Sequence, residues 1–150
     1  METYKNQAKR VFDFIGTLSK ENPGIAKGFG TMHGTTGEEG ALTVKQKELI
    51  ALGIAITIRC EGCIACHVKD ALENGATREE IVETIGVSIL MGGGPSIVYG
   101  EKAYQALDEF SKELSTTTNG TIWYNYCQQA QFSNFVNSIK KAWMRYIQAF

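Results

Sequence analysis

The sequence of 150 residues has little net charge and no long apolar run. Its 15 Lys and Arg residues nearly balance 16 Asp and Glu residues, which gives a formal net charge of -1 at pH 7. Nucleic-acid-binding proteins normally show a strong basic excess, so that class is not expected here. No uncharged apolar run approaches the roughly 18 residues that a membrane helix needs. We therefore predict no nucleic-acid partner and no membrane partner.

The amino-terminal segment also lacks the apolar core of a secretory signal. Lys9, Arg10 and Asp13 interrupt the segment where such a core would lie. The expected location is cytoplasmic, where thiols are kept reduced. Clustered cysteines in such a protein are more often catalytic or metal-binding than structural.

Strand-like alternation and internal repeats are absent too, and apolar residues recur instead at helical spacing, so the sequence predicts an all-α fold. We predict a bundle of about six core helices plus a C-terminal helix. The third helix, apolar nearly all round after Glu48, should lie deep in the core. The predicted core helices cover 4–21, 25–33, 43–58 and 63–73, a fifth that opens at the capping box of Thr77 and Glu80, and a sixth from Pro95 through Phe110.

The last 35 residues differ from the rest of the chain. Residues 1–115 hold 12 Lys and Arg against all 16 acids, whereas residues 116–150 hold Lys140, Lys141 and Arg145 and no acid. Apolar residues from Phe132 to Phe150 recur at i, i+3, i+4 and i+7. We predict one domain over 1–115, followed over 116–150 by a linker and an amphipathic helix that starts at about residue 129.

The chemistry is concentrated in residues 59–67, which contain three of the four cysteines and one of the two histidines. Cys60 and Cys63 are one helical turn apart at a predicted helix start, where the helix dipole favours a thiolate. His67 follows Cys63 by four residues and therefore lies on the same helical face, where it can move a proton. This spacing indicates a redox dithiol.

Glu48 is the acid that could complete this set. If the third and fourth helices form an antiparallel hairpin that turns near Thr57 and Ile58, Glu48 lies opposite His67. A lone carboxylate in an apolar stretch is costly unless it is paired or functional. We predict that Glu48, Cys60, Cys63 and His67 form one site.

Other interpretations of the same residues compete with the dithiol. Cys66 taken alone is better explained as a small buried hydrophobic residue. Cys63, Cys66 and His67 also match the C-x-x-C-H pattern of c-type haem attachment, but that attachment is made outside the cytoplasm in most bacteria. Zinc held by the three cysteines and His67 is disfavoured because ligands on two turns of one helix cannot surround an ion tetrahedrally. We predict no bound metal or cofactor.

At these residues the chain resembles the carboxymuconolactone decarboxylase-like superfamily, and within it the alkyl hydroperoxidase D (AhpD)-like proteins. The resemblance covers about residues 22–112. The matching segments are GALTVKQKELIAL at 40–52, CEGCIACHVKDAL at 60–72 and GATREEI at 75–81. The family pattern of Glu, Cys-x-x-Cys and His is met at Glu48, Cys60, Cys63 and His67.

The resemblance implies a helical bundle assembled as a trimer or hexamer. It also implies that Cys63 is the attacking thiolate, that Cys60 closes the disulfide, and that Glu48 and His67 move the proton. Such proteins reduce hydroperoxides or pass electrons to a peroxiredoxin, and a lipoyl-type dithiol supplies the electrons. The chain departs from the pattern at Cys66, where a small or polar residue is usual, and after about Ser115, where nothing matches the family.

Three functional hypotheses follow. The first is a thiol-dependent peroxidase or disulfide reductase, with a peroxide or disulfide as substrate and a peroxiredoxin or lipoylated protein as partner. The second is a lyase acting on a small lactone acid, with Glu48 and His67 as base and acid; the resemblance argues against it because the decarboxylating members lack the cysteine pair. The third is a non-catalytic helical scaffold with unreactive thiols.

Overall fold

The computed structural model describes residues 2–116, which form six α-helices and no strand. The all-α prediction is therefore confirmed. The helices are α1 (Tyr4–Glu21), α2 (Pro23–Gly37), α3 (Val44–Thr57), α4 (Glu61–Glu73), α5 (Arg78–Gly92) and α6 (Gly94–Thr116). Within this part of the chain, none of the helices is long and apolar enough to cross a membrane.

Threonine side chains define the start of three helices. The hydroxyl of Thr3 caps α1 by accepting a hydrogen bond from Asn6 N–H. Thr43 caps α3 and Thr77 caps α5, each as part of a full capping box with the residue three positions later. A cap of this kind contributes about 1 kcal/mol because it satisfies amide groups that have no partner within the helix. The predicted starts of α3 and α5 therefore agree with the structure.

The core lies among α3, α4, α5 and α6. Its largest fully buried side chains include Leu52, Ile56, Ile64, Ile81 and Leu107. Each contributes about 1.5–3 kcal/mol by its removal from water. A smaller cluster joins α1 to α4, where Ala8 packs with Ala65 and Cys66. The helix that carries the cysteines is thus covered on two sides.

A tight reversal connects α3 to α4 and determines where the cysteines lie. Ile58 N–H donates to Ile54 O at 2.9 Å, and Cys60 N–H donates to Ala55 O at 3.0 Å. Between them Arg59 has φ of 64°, in the left-handed region that residues other than glycine rarely adopt. This conformation turns the chain within three residues and places Cys60 directly before α4.

The bounds of three helices differ most from the prediction. The second helix is longer than predicted because Pro23 supports its first turn and its glycines do not end it before Gly37. The fourth begins at Glu61, since Cys60 itself acts as its N-cap. The sixth begins at Gly94, one residue before Pro95, and continues past the predicted Phe110 to Thr116, so the linker does not begin at residue 115 or 116.

The prediction that α3 is deep in the core was wrong for one of its faces. Ile50 and Ile54 are 51% and 56% exposed, and Ile58, directly after the helix, is 64% exposed. The main packing partners of α3 are α4 and α5, which cover the side that carries Leu52 and Ile56. A helix that is apolar on nearly all sides can thus still have one face exposed.

The predictions for residues 117–150 lie outside the described residues. They include the linker and the C-terminal helix from about residue 129. Residues Met1–Lys112 form one compact unit. The division of the chain into a domain over 1–115 and a tail over 116–150 stays a prediction.

Candidate redox site

A disulfide joins Cys60 and Cys63 at the amino end of α4, with their Cα atoms 5.2 Å apart. Cys60 is the N-cap of the helix, and its sulfur accepts a hydrogen bond from Cys63 N–H at 3.3 Å. The amide groups at a helix start carry a partial positive charge, which favours a thiolate when the pair is reduced. The two cysteines are therefore close enough to switch between dithiol and disulfide.

Gly62 allows α1 to approach the first turn of α4, between these cysteines. A Cβ atom built at this position would lie 3.0 Å from Val11 Cγ2, which is tighter than ordinary contact. The other residue between the cysteines, Glu61, forms an ion pair with Lys102 at 3.0 Å. Contacts from α1 and α6 thus hold the first turn of α4 in place.

Glu48 and His67 form a half-buried pair behind the disulfide. His67 Nδ1 lies 2.7 Å from Glu48 Oε2, with the two side chains 24% and 13% exposed. An ionised Glu48 can only accept, so in the neutral ring of His67 Nδ1–H would be the donor to Glu48 and Nε2 would be the acceptor. The α3–α4 hairpin that the sequence predicts is what brings together these two residues, 19 positions apart.

His67 lies one helical turn beyond Cys63 on α4, and both side chains are partly exposed. Residues four positions apart share a helical face, so the imidazole and the sulfur lie on the same side of the helix. The structure therefore places Cys60 and Cys63 at the start of α4, His67 one turn further along it, and Glu48 opposite His67 on α3. Cys60 and Cys63 are covalently paired, and Glu48 and His67 are hydrogen-bonded.

Cys66 points into the small cluster between α1 and α4. It is a free thiol, 9% exposed, and packs with Ala8 and Ala65. Burial raises the pKa of Cys66 to about 11, with a further contribution from the charge of Asp70. A buried, protonated thiol is a poor nucleophile. The same burial argues against thioether attachment of a haem at this cysteine.

Asp70 is a neighbour of the site that sequence reasoning missed. Its carboxylate forms a compact group with the carboxylate of Glu48 and the ring of His67. One potential ligand atom of each residue lies within 4.8 Å of the others. Burial, and then the nearby charge of Glu48, raise the pKa of Asp70, although Lys69 opposes them. The available signal was its position three residues after His67, on the same face of α4.

Comparison with known proteins identifies relatives of this chain. The model of the carboxymuconolactone decarboxylase family matches residues 23–109. An uncharacterized protein of Cupriavidus necator is 37% identical over 109 residues, which cover 72% of this chain and 93% of that protein. An uncharacterized Paracoccus denitrificans protein encoded in the cox locus is 36% identical over 95 residues, which cover 63% of this chain and 86% of that protein.

Two crystal structures share the fold. A carboxymuconolactone decarboxylase family protein from Legionella pneumophila superposes with a TM-score of 0.69 at 38% identity, covering 72% of this chain and 96% of that one. A Thermotoga maritima member, for which a role in an antioxidative response has been suggested, gives 0.68 at 25% identity. The match covers 73% of this chain and 93% of the Thermotoga protein.

The helices and the paired cysteines define the class as an all-helical protein with a dithiol centre at a helix start. The chain belongs to the carboxymuconolactone decarboxylase family. The resemblance to AhpD-like proteins seen in the sequence is thereby confirmed at the level of the superfamily.

Proposed function

We propose that the protein is a thiol-dependent peroxidase or disulfide reductase of the AhpD type. The observation that carries the proposal is the Cys60–Cys63 disulfide at the start of α4, with the Glu48–His67 pair on the adjoining turn. A dithiol that can close into a disulfide supplies two electrons, and the imidazole supplies a proton carrier. The suggested antioxidative role of the Thermotoga relative is in keeping with this reaction.

In the proposed reaction the Cys63 thiol first gives its proton to Nε2 of His67, through a water. The Cys63 thiolate attacks one oxygen of a hydroperoxide, so that an S–O bond forms and the O–O bond breaks. The alkoxide that leaves takes up the proton from His67. Glu48 stabilises the positively charged ring in the interval between these two transfers.

The second half of the reaction closes the disulfide. The Cys60 sulfur attacks the sulfenic acid on Cys63, the S–S bond forms, and the S–O bond breaks with release of water. A lipoyl-type dithiol then reduces the disulfide by two thiol–disulfide exchanges. One hydroperoxide is thereby reduced to alcohol and water as one donor dithiol is oxidised. No bound cofactor enters these steps.

In the cytoplasmic location that we propose, a peroxiredoxin or a lipoylated protein would be the exchange partner.

Single cysteine variants test the assignment of Cys63. In Cys60→Ser, peroxide should leave a sulfenic acid on Cys63 that a dimedone probe traps, because the Cys60 thiol that would displace it is gone. Cys63→Ser should neither react with peroxide nor label with dimedone. Full peroxide-dependent thiol oxidation by Cys63→Ser would refute the proposed role.

The family match also supports a second candidate, a lyase acting on a small lactone acid. In that reaction Glu48 and His67 would act as base and acid, and the cysteines would take no part. Lactone turnover would then survive alkylation of all thiols. Loss of every activity on alkylation would exclude the lyase and favour the dithiol reaction.

We also propose a homo-oligomer, a trimer or hexamer. Two neighbouring helices present large apolar side chains to the exterior: Ile50 and Ile54 on α3, and Val87, Leu90 and Met91 on α5, each at least 51% exposed. Apolar patches of this kind usually mark protein interfaces. Light scattering coupled to size-exclusion chromatography measures the assembly mass, and a monomer at micromolar concentration would contradict the proposal.

A further inference from the structure

One imidazole and two carboxylates converge behind the dithiol. Glu48 projects from α3, and His67 and Asp70 project from one face of α4, three positions apart. One potential ligand atom from each lies within 4.8 Å of the other two, and His67 Nδ1 lies 2.7 Å from Glu48 Oε2. Because two packed helices carry the three side chains, their arrangement is rigid.

The charge in this cluster is unbalanced. The Glu48 and Asp70 side chains are only 13% and 23% exposed, so water screens their mutual repulsion poorly. Asp70 Oδ1 has Lys69 Nζ at 3.4 Å, but that ammonium lies closer to Glu73, at 2.8 Å. The ring of His67, which is hydrogen-bonded to Glu48, is the other polar neighbour, and in its neutral form it adds no charge. A cation between the carboxylates would relieve their repulsion.

We propose that Glu48, His67 and Asp70 form a zinc-binding site, and that zinc bound there holds the dithiol centre inactive. Zinc accepts imidazole nitrogen and carboxylate oxygen at about 2.0–2.2 Å, so ligands on one ion lie roughly 3–4 Å apart. The present ligand atoms, all within 4.8 Å of one another, are close to that spacing. An imidazole with two carboxylates favours zinc over magnesium, which prefers oxygen ligands alone.

The inhibitory half of this inference rests on the proposed function. Zinc bound to Nδ1 of His67 would keep the ring hydrogen on Nε2, so that nitrogen could no longer accept the Cys63 proton, and zinc bound to Glu48 would remove the carboxylate that stabilises the charged ring. The metal would therefore stop thiol oxidation without reacting with either sulfur. Zinc is redox-inert, so release of the ion restores the site unchanged.

Zinc uptake by the full-length oxidised protein tests the site separately from its activity. The disulfide cannot act as a thiolate ligand, so competition between the protein and a chromophoric zinc chelator reports on the remaining groups. We expect one zinc per chain, with affinity at least about tenfold lower in His67→Gln and in Asp70→Asn. His33→Gln removes the other histidine of the chain and Glu73→Gln removes a nearby acid, and both should bind zinc as the wild type does. Magnesium in excess should not displace zinc.

X-ray absorption at the zinc edge of the wild-type complex adds a measurement that needs no variant. It should show one imidazole with oxygen ligands and no sulfur. No uptake by the oxidised protein, unchanged affinity in Asp70→Asn, loss of binding in His33→Gln, or sulfur around the ion would each overturn the site. Since uptake requires no turnover, these results leave the dithiol reaction untouched. If zinc binds at this site and peroxide-driven thiol oxidation continues at full rate, the inhibitory role alone is wrong.

Discussion

Replacing Glu48 with Gln tests the proton-transfer pair with little change in shape. Glu48 and Gln are nearly isosteric, so the variant keeps the α3–α4 packing and can still accept the hydrogen bond from His67 Nδ1. What it loses is the negative charge, at a side chain that is only 13% exposed. The ring must carry a positive charge while it holds the Cys63 proton, and the variant no longer stabilises that charge.

The size of the effect follows from the contact. A hydrogen bond to a charged group contributes about 1.5–3 kcal/mol. If that contribution is made only while the ring is protonated, its loss raises the barrier by the same amount. At about 1.4 kcal/mol for each factor of ten, the rate of thiol oxidation should fall about 10- to 150-fold.

Single-turnover kinetics measure this rate directly. The protein is reduced, freed of reductant, mixed with tert-butyl hydroperoxide at pH 7, and quenched with acid before disulfide is counted by mass spectrometry. Glu73→Gln is the matched control, because Glu73 is an acid on α4 whose partner is Lys69. A Glu48→Gln rate within twofold of the wild type would refute the proton-transfer role.

Three further predictions concern the surroundings of the site. The pKa of Cys66 is about 11 against an ordinary 9.0, so its thiolate fraction at pH 8 is about 100-fold below that of a free thiol. Iodoacetamide should alkylate the reduced dithiol and spare Cys66, and equal labelling would contradict its burial. Burial raises the pKa of Asp70, so the folded protein loses stability as the pH rises through that raised pKa. Asp70→Asn removes this loss and should have a higher Tm than the wild type at pH 7 but not at pH 3; a gain at both would point to another cause. A Cβ at Gly100 would lie 2.8 Å from Ile85 Cγ2, so Gly100→Ala should lower the free energy of unfolding by about 1–3 kcal/mol in urea. Gly86→Ala places no atom within 4 Å of the added Cβ, so this variant should not lower the free energy of unfolding. Equal losses in the two variants would argue against close packing at Gly100.

Much of the fold could be predicted because local signals and helical spacing agree. Thr43 and Thr77 carry their capping partners within three residues, so the starts of α3 and α5 are encoded locally. The pairing of Glu48 with His67 was predictable for a related reason. A short reversal between two helices determines which residues lie opposite each other, and the tight turn at Arg59 fixes that register.

What could not be predicted depends on tertiary contacts. Nothing in the spacing of Ile50 and Ile54 distinguishes an exposed apolar face from a buried one, because burial depends on which helices pack against α3. The place of Asp70 was missed for a similar reason. Its position beside a lysine in a helix is typical of a solvated ion pair, and only the packing of α3 on α4 brings Glu48 close to it.

The central claim is that Cys60 and Cys63 act together as a two-electron centre for peroxide. The most direct test titrates the reduced, full-length protein with a hydroperoxide and counts both the peroxide consumed and the intramolecular disulfide formed. We expect one Cys60–Cys63 disulfide per hydroperoxide, mapped by peptide mass, with Cys66 still reduced. Peroxide consumption without that disulfide, or no consumption by the reduced protein, would contradict it.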